Sequence, residues 1–240
     1  MAIGIFDSGL GGLTVVKEIK KRFPGVGIKY LGDTARVPYG TRSREVVQQF
    51  AVEDAKFLES LGVSEIIIAC NTASALAFEQ VKDTVSIPVY EVISAAKDQA
   101  EKIGTRIGVI GTRGLINSGA YGYVGIACPL LVPFIEEGEL DSPALKVILQ
   151  DYLKQFDQLD TLILGCTHYP IIQGLVQQVL GDRVTLINPG EELAKILNLD
   201  PSASSGQDEY FVTDLTPRYA EIAKRFLGKI IEPELIKLAS

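Results

Sequence analysis

Short apolar runs alternate with longer amphipathic stretches along the chain. The runs Ala2-Ile-Gly-Ile-Phe-Asp7, Glu65-Ile-Ile-Ile-Ala-Cys70 and Thr161-Leu-Ile-Leu-Gly-Cys166 read as buried strands, because a strand covered on both faces is continuously apolar. Further strands are predicted at Ile28–Gly32, 89–92, 106–111, 184–188 and 209–214. Helices are predicted at 13–22, 43–61, 72–83, 94–102, 143–156, 171–180, 191–197 and 217–227, with Ser43 as an N-cap and Pro170 suited to a first helical turn. Strands alternating with helices of ten residues or so define βαβ units and mainly parallel sheets, an α/β fold. Pro201-Ser-Ala-Ser-Ser-Gly206 is the only linker-like segment.

Two of these strands end alike. Ile66-Ile-Ile-Ala-Cys70-Asn-Thr72 resembles Leu162-Ile-Leu-Gly-Cys166-Thr-His168, and Ile3-Gly-Ile-Phe-Asp7 resembles Ile107-Gly-Val-Ile-Gly111. The repeat implies two pseudo-symmetric halves, here bounded as 1–94 with 207–240 and 95–206. In parallel sheets ligands bind beyond the carboxyl ends of the strands. Asp7, Cys70, Gly111 and Cys166 all fall at such ends, so a site in the cleft between the halves is expected.

The bulk composition narrows the function. The 240 residues are 47% hydrophobic and 22% charged, ordinary for a soluble globular chain. No apolar run reaches the roughly 20 residues of a membrane helix, and no signal peptide precedes the first strand, which predicts a cytoplasmic protein. A net charge of −7 disfavours a nucleic-acid surface. One His and no Cys-x-x-Cys disfavour a metal site. The three cysteines, Cys70, Cys128 and Cys166, suit catalysis or burial better than disulfides.

Cys70 and Cys166 then carry the chemistry. A thiol between a strand and a helix start lies near free N–H groups and the positive end of the helix dipole, a setting that favours the thiolate. Two such thiols on opposite faces of one carbon can move its proton: one removes it, and the other, protonated, delivers a proton from behind. Asp7 is placed to hold a substrate ammonium or to help a thiol lose its proton, and His168 to assist Cys166. Asn71, Thr72 and Thr167 supply neutral donors suited to a carboxylate. Gly9-Leu-Gly-Gly12 lacks the dinucleotide spacing and reads as room for a small anion.

Ile3-Gly-Ile-Phe-Asp-Ser-Gly-Leu-Gly-Gly-Leu-Thr14, Leu31-Gly-Asp-Thr-Ala-Arg-Val-Pro-Tyr-Gly40, Ala69-Cys-Asn-Thr-Ala-Ser74 and Leu164-Gly-Cys-Thr-His-Tyr-Pro170 together resemble the glutamate racemase family, in order and over most of the chain. The resemblance implies interconversion of L- and D-glutamate without a cofactor or metal, supplying D-glutamate for peptidoglycan, in a two-domain α/β homodimer. It implies Cys70 as the acid/base for D-glutamate and Cys166 for L-glutamate. Asp7, His168 and Glu136 are their implied assistants, and Ser8, Pro38, Tyr39, Gly40, Asn71, Thr72 and Thr167 the implied substrate contacts. A racemase of aspartate or another acid, and a non-catalytic amino-acid-binding module, are the alternatives. Two features depart from the family pattern. Leu115 stands where a Thr is usual, and the short Tyr121–Cys128 stretch predicts a loop, with one element lost from a second half about eight residues shorter than the first.

Overall fold

The computed structural model describes residues 2–199 and 207–238; the linker expected at 201–206 lies outside them. Among the described residues, ten strands form two parallel sheets. They are β1 (Ile3–Asp7), β2 (Ile28–Gly32), β3 (Ile66–Ile68), β4 (Val89–Glu91), β5 (Ile107–Gly111), β6 (Val124–Ala127), β7 (Thr161–Gly165), β8 (Thr185–Ile187), β9 (Glu209–Val212) and β10 (Glu234–Leu235). The first sheet has the order β10-β9-β2-β1-β3-β4, the second β6-β5-β7-β8. Reading β5 to β8 as counterparts of β1 to β4 gives the same order in both, so the sequence repeat has a topological equivalent. Every pairing is parallel. The crossovers are therefore helical, and both faces of the central strands are apolar.

The helices are α1 (Leu13–Arg22), α2 (Arg44–Ser60), α3 (Asn71–Lys82), α4 (Val92–Ile103), α5 (Arg113–Ser118), α6 (Leu131–Glu137), α7 (Pro143–Leu153), α8 (Gln173–Leu180), α9 (Pro189–Ile196) and α10 (Tyr219–Leu227). Ser43 caps α2 as expected, its side chain accepting from the Val46 N–H. Pro170 lies in a 3₁₀ turn, Tyr169–Ile172, that leads into α8. None of the helices among the described residues is long and apolar enough to cross a membrane.

The Tyr121–Cys128 expectation is overturned. Val124–Ala127 is β6, paired in register with Gly108–Gly111 of β5. Among the described residues the second half has a counterpart for each of β1 to β4. Twenty residues (8–27) separate β1 from β2, and twelve (112–123) separate β5 from β6. That difference of eight is the whole shortfall, and it falls on the crossover, where α5 has six residues against ten in α1.

Candidate active site

Cys70 and Cys166 follow β3 and β7, the equivalent strands of the two sheets. Both thiols open on one narrow cavity between the halves, of about 50 Å³. That is well under the roughly 300–1,000 Å³ of most ligand pockets, so the site is a narrow slot. From the first half it is lined by Ser8, Val37 to Gly40 and Cys70 to Thr72; from the second by Thr112, Val132, Glu136 and Gly165 to His168. A larger groove of about 860 Å³ runs between α2 and the C-terminal segment, lined by Lys56, Phe57 and Lys237 among others. It holds no thiol and lies away from the catalytic strand ends, so the small slot is the candidate site.

The two thiols have different neighbours. Cys70 is the N-cap of α3; its Sγ accepts from the Ala73 N–H at 3.5 Å and donates to Ser8 Oγ at 3.5 Å. Burial, with Asp7 and Cys166 adding negative charge nearby, pushes the thiol up to about 12, against the pull of Ala73 and Ser8. The thiolate-favouring setting expected at this helix start is thus outweighed: one long N–H contact does not offset desolvation. In the unliganded protein Cys70 is a thiol.

Cys166 faces a charge. His168 Nδ1 lies 3.8 Å from Cys166 Sγ, and His168 Nε2 lies 2.8 Å from Glu136 Oε1. Burial works against the imidazolium, but Cys166 and Glu136 more than compensate, and His168 rises to about 10. Glu136 is buried enough to be pushed up, yet the His168 contact holds it below its ordinary value. The ring is therefore charged at neutral pH and donates from both nitrogens. A carboxylate orienting an imidazolium that faces a thiol stabilises negative charge on the sulfur.

Asp7 does not line the slot. It is fully buried beneath it, accepting from the Gly9 N–H at 3.0 Å and from Thr167 Oγ at 3.3 Å. Burial raises it, while His168 and the N–H groups of Gly12 and Gly9 pull it down. The glycine run has a different use from the one expected. A side chain on Gly11 would collide with Thr167 and His168, so Gly11 makes room for the other half of the protein, while Gly12 makes room for Asp7 and Tyr30 of its own half. Thr14 Oγ then bonds the Thr167 carbonyl at 2.8 Å across the halves.

Tyr39 is also turned differently from what a substrate contact implies. Tyr39 is among the residues lining the slot, but its ring packs on Phe50 and its hydroxyl points to Asp33 and to Asp54 Oδ2 at 2.8 Å. Asn71 is held by Tyr121, whose hydroxyl donates to Asn71 Oδ1 at 2.9 Å. Thr112 was not among the residues singled out. Its Oγ shares a 2.7 Å hydrogen bond with Thr72 Oγ across the halves and it lies against Gly40. The sequence signal for it was a hydroxyl one residue past a strand end, after Gly111. Leu115, by contrast, is buried in the core beneath, against Gly111 and Gly165. Cys128 is buried away from the slot.

Residues 8–124 match the Asp/Glu/Hydantoin racemase family. The chain is 45% identical over 242 residues to the glutamate racemase of Aquifex pyrophilus, covering 95% of each chain. The solved glutamate racemase of Francisella tularensis, in complex with D-glutamate, superimposes with a TM-score of 0.90 at 36% identity, over 98% of this chain and 97% of that one. The Thermus thermophilus glutamate racemase, in complex with beta-chloro-D-alanine, gives 0.88 at 39% identity, over 97% and 95%. The chain belongs to the glutamate racemase family, and is an amino-acid racemase.

Proposed function

We propose that this racemase interconverts L- and D-glutamate without a cofactor, its two thiols acting from opposite faces of the α-carbon. The observation that carries the reading is that Cys70 and Cys166 reach one slot from equivalent strand ends of opposite halves. Starting from L-glutamate, Cys166 acts as a thiolate whose charge is balanced by the His168 cation, takes the α-proton and becomes a thiol. Cys70, resting as a thiol, gives its proton to the opposite face and D-glutamate results. The reverse reaction exchanges the roles. Glu136 orients His168. Asp7 acts from below, through Thr167 and through its charge beside Cys70, rather than as a wall of the slot. Ser8, Asn71, Thr72, Thr112 and Thr167 offer hydroxyl and amide groups to the substrate's carboxylates, and Pro38, Tyr39 and Gly40 shape the wall.

Glutamate is favoured over aspartate by the relatives, which are named glutamate racemases at up to 45% identity. The resemblance adds a cytoplasmic homodimer that supplies D-glutamate for peptidoglycan. The test is circular dichroism of L-glutamate and L-aspartate with purified protein and no pyridoxal phosphate. Loss of optical activity from glutamate, and faster than from aspartate, is expected. Bound glutamate that keeps its optical activity would make the protein a binding module instead.

A further inference from the structure

Helix α10 belongs to the C-terminal segment and packs on α1, on the side of the first sheet. Helix α6, which carries Glu136, packs on α7 and on the 3₁₀ turn after β7, on the side of the second. The two helices meet behind His168. Arg225 Nη1 donates to the Ile135 carbonyl at 3.0 Å and the Glu136 carbonyl at 2.8 Å. Arg218 Nη2 donates to the same Glu136 carbonyl at 3.1 Å, and its Nη1 to Glu137 Oε1 at 2.5 Å. These carbonyls lie in the last turn of α6, where that of Ile135 also accepts from the Gly138 N–H at 3.2 Å, and they sit at the negative end of its dipole, where a cation belongs. Gly138 closes α6 at φ +81°, and any side chain there would strike the Arg225 guanidinium. Beside Arg225, Phe226 lays its fully buried ring against the His168 imidazole, with centroids 5.0 Å apart and planes at 82°.

We propose that Arg225 and Phe226 are positioning residues for the Cys166 half of the reaction, forming a latch from α10 that fixes both partners of the Glu136–His168 hydrogen bond. The inference rests on the two-thiol reading above. Arg225 fixes the backbone from which Glu136 projects, and Phe226 limits the tilt of the ring that Glu136 orients. Neither lines the slot, so neither touches substrate. Nothing equivalent from α10 reaches Cys70, whose partners are Ser8 and Ala73. The latch serves one thiol of the two.

That asymmetry gives a readout that a general loss of stability does not share. Enantiomers are equal in energy, so a variant lowers kcat/KM equally in both directions. The primary deuterium isotope effect is not so constrained. If proton transfer at Cys166 becomes the slower step, α-deuterated L-glutamate shows its full isotope effect. The effect with α-deuterated D-glutamate falls toward one, because Cys166 then delivers a solvent proton. Arg225→Gln and Phe226→Leu are expected to lower kcat/KM by roughly tenfold to a hundredfold, raise the isotope effect for the L substrate and lower it for the D substrate. Arg225→Lys should recover part of each change. Arg218→Gln, at an exposed position, carries the same test in milder form should Arg225→Gln not fold. Unchanged isotope effects, or effects moving together for both substrates, overturn the latch. Cys70→Ala and Cys166→Ala, run alongside, tell that outcome from failure of the two-thiol reading: normal racemisation by either removes the reading itself.

Discussion

Glu136 Oε1 lies 2.8 Å from His168 Nε2, while the other nitrogen of the same ring faces Cys166 Sγ at 3.8 Å. The carboxylate is thus one link removed from the thiol and reaches it through a charged ring. Glu136→Gln keeps the shape and removes the charge. Without it the imidazolium loses stabilisation, so His168 deprotonates at lower pH. The pH profile of kcat/KM should lose its alkaline side earlier than in the wild type, with activity down roughly tenfold or more at neutral pH. An alkaline limb that stays in place would show that Glu136 does not act through His168.

Stability should follow the same ring. His168 stands at about 10 in the folded protein against an ordinary 6.5, so folding favours its protonated form. That contribution is complete below pH 6.5 and is lost as the pH rises through about 10, because across this window the folded state holds a proton that the unfolded state has released. Thermal unfolding between these limits should show a falling Tm, and His168→Asn should flatten the fall. Parallel curves for the two proteins would contradict it.

Gly40 is predicted to tolerate no side chain. A Cβ there would run into Thr112, closing the slot where the two halves meet. Gly40→Ala should raise KM severalfold or more while the protein still folds, since the clash is with a side chain at the rim of the cleft. Thr112→Val removes the hydrogen bond to Thr72, a loss of about 1 kcal/mol, which corresponds to a severalfold weaker engagement of substrate. Steady-state kinetics check both, and unaltered KM values in both would remove Thr112 from the site.

Tyr39→Phe separates the wall from its anchor. The hydroxyl sits between Asp33 and Asp54, both fully buried, and Arg36 bonds the same two carboxylates and Glu53. Removing the hydroxyl leaves buried acceptors short of a donor, at a cost of about 1–3 kcal/mol of stability by denaturant unfolding. The hydroxyl does not face the slot, so kcat should change far less than stability does. A variant as stable as the wild type would mean that the hydroxyl holds nothing.

The sequence made the central strands legible because they are buried on both faces and read as apolar runs; Ile66-Ile-Ile is all core. The strand ends followed, and with them Asp7, Cys70 and Cys166. The middle of the second half was harder. β6 is an edge strand, with Val124 largely exposed and Gly125 admitting Ile116, so it shows neither a buried run nor clean alternation. Helices α5 and α6, six and seven residues long, are too short to display a period. Within the site, residue type did not reveal direction. Tyr39 resembles a substrate contact, but Asp33 and Asp54, six and fifteen positions away, turn its hydroxyl inward. Cys70 stands at a helix start as its sequence suggested, yet the depth of burial, which a local motif does not encode, sets its protonation. Arg225 and Phe226 lie 89 and 90 residues from Glu136 and beyond the last motif, and only folding brings them to it.

The central claim is that two thiols divide the work of one proton transfer. It is tested most directly by racemisation of L-glutamate in D₂O, with optical activity and α-hydrogen exchange followed together for the wild type, Cys70→Ala and Cys166→Ala. The wild type should lose optical activity and take up deuterium at the α-carbon with no added cofactor, and each single variant should lose racemisation by about a hundredfold or more. A variant lacking either thiol that still interconverts the enantiomers at the wild-type rate would contradict the account.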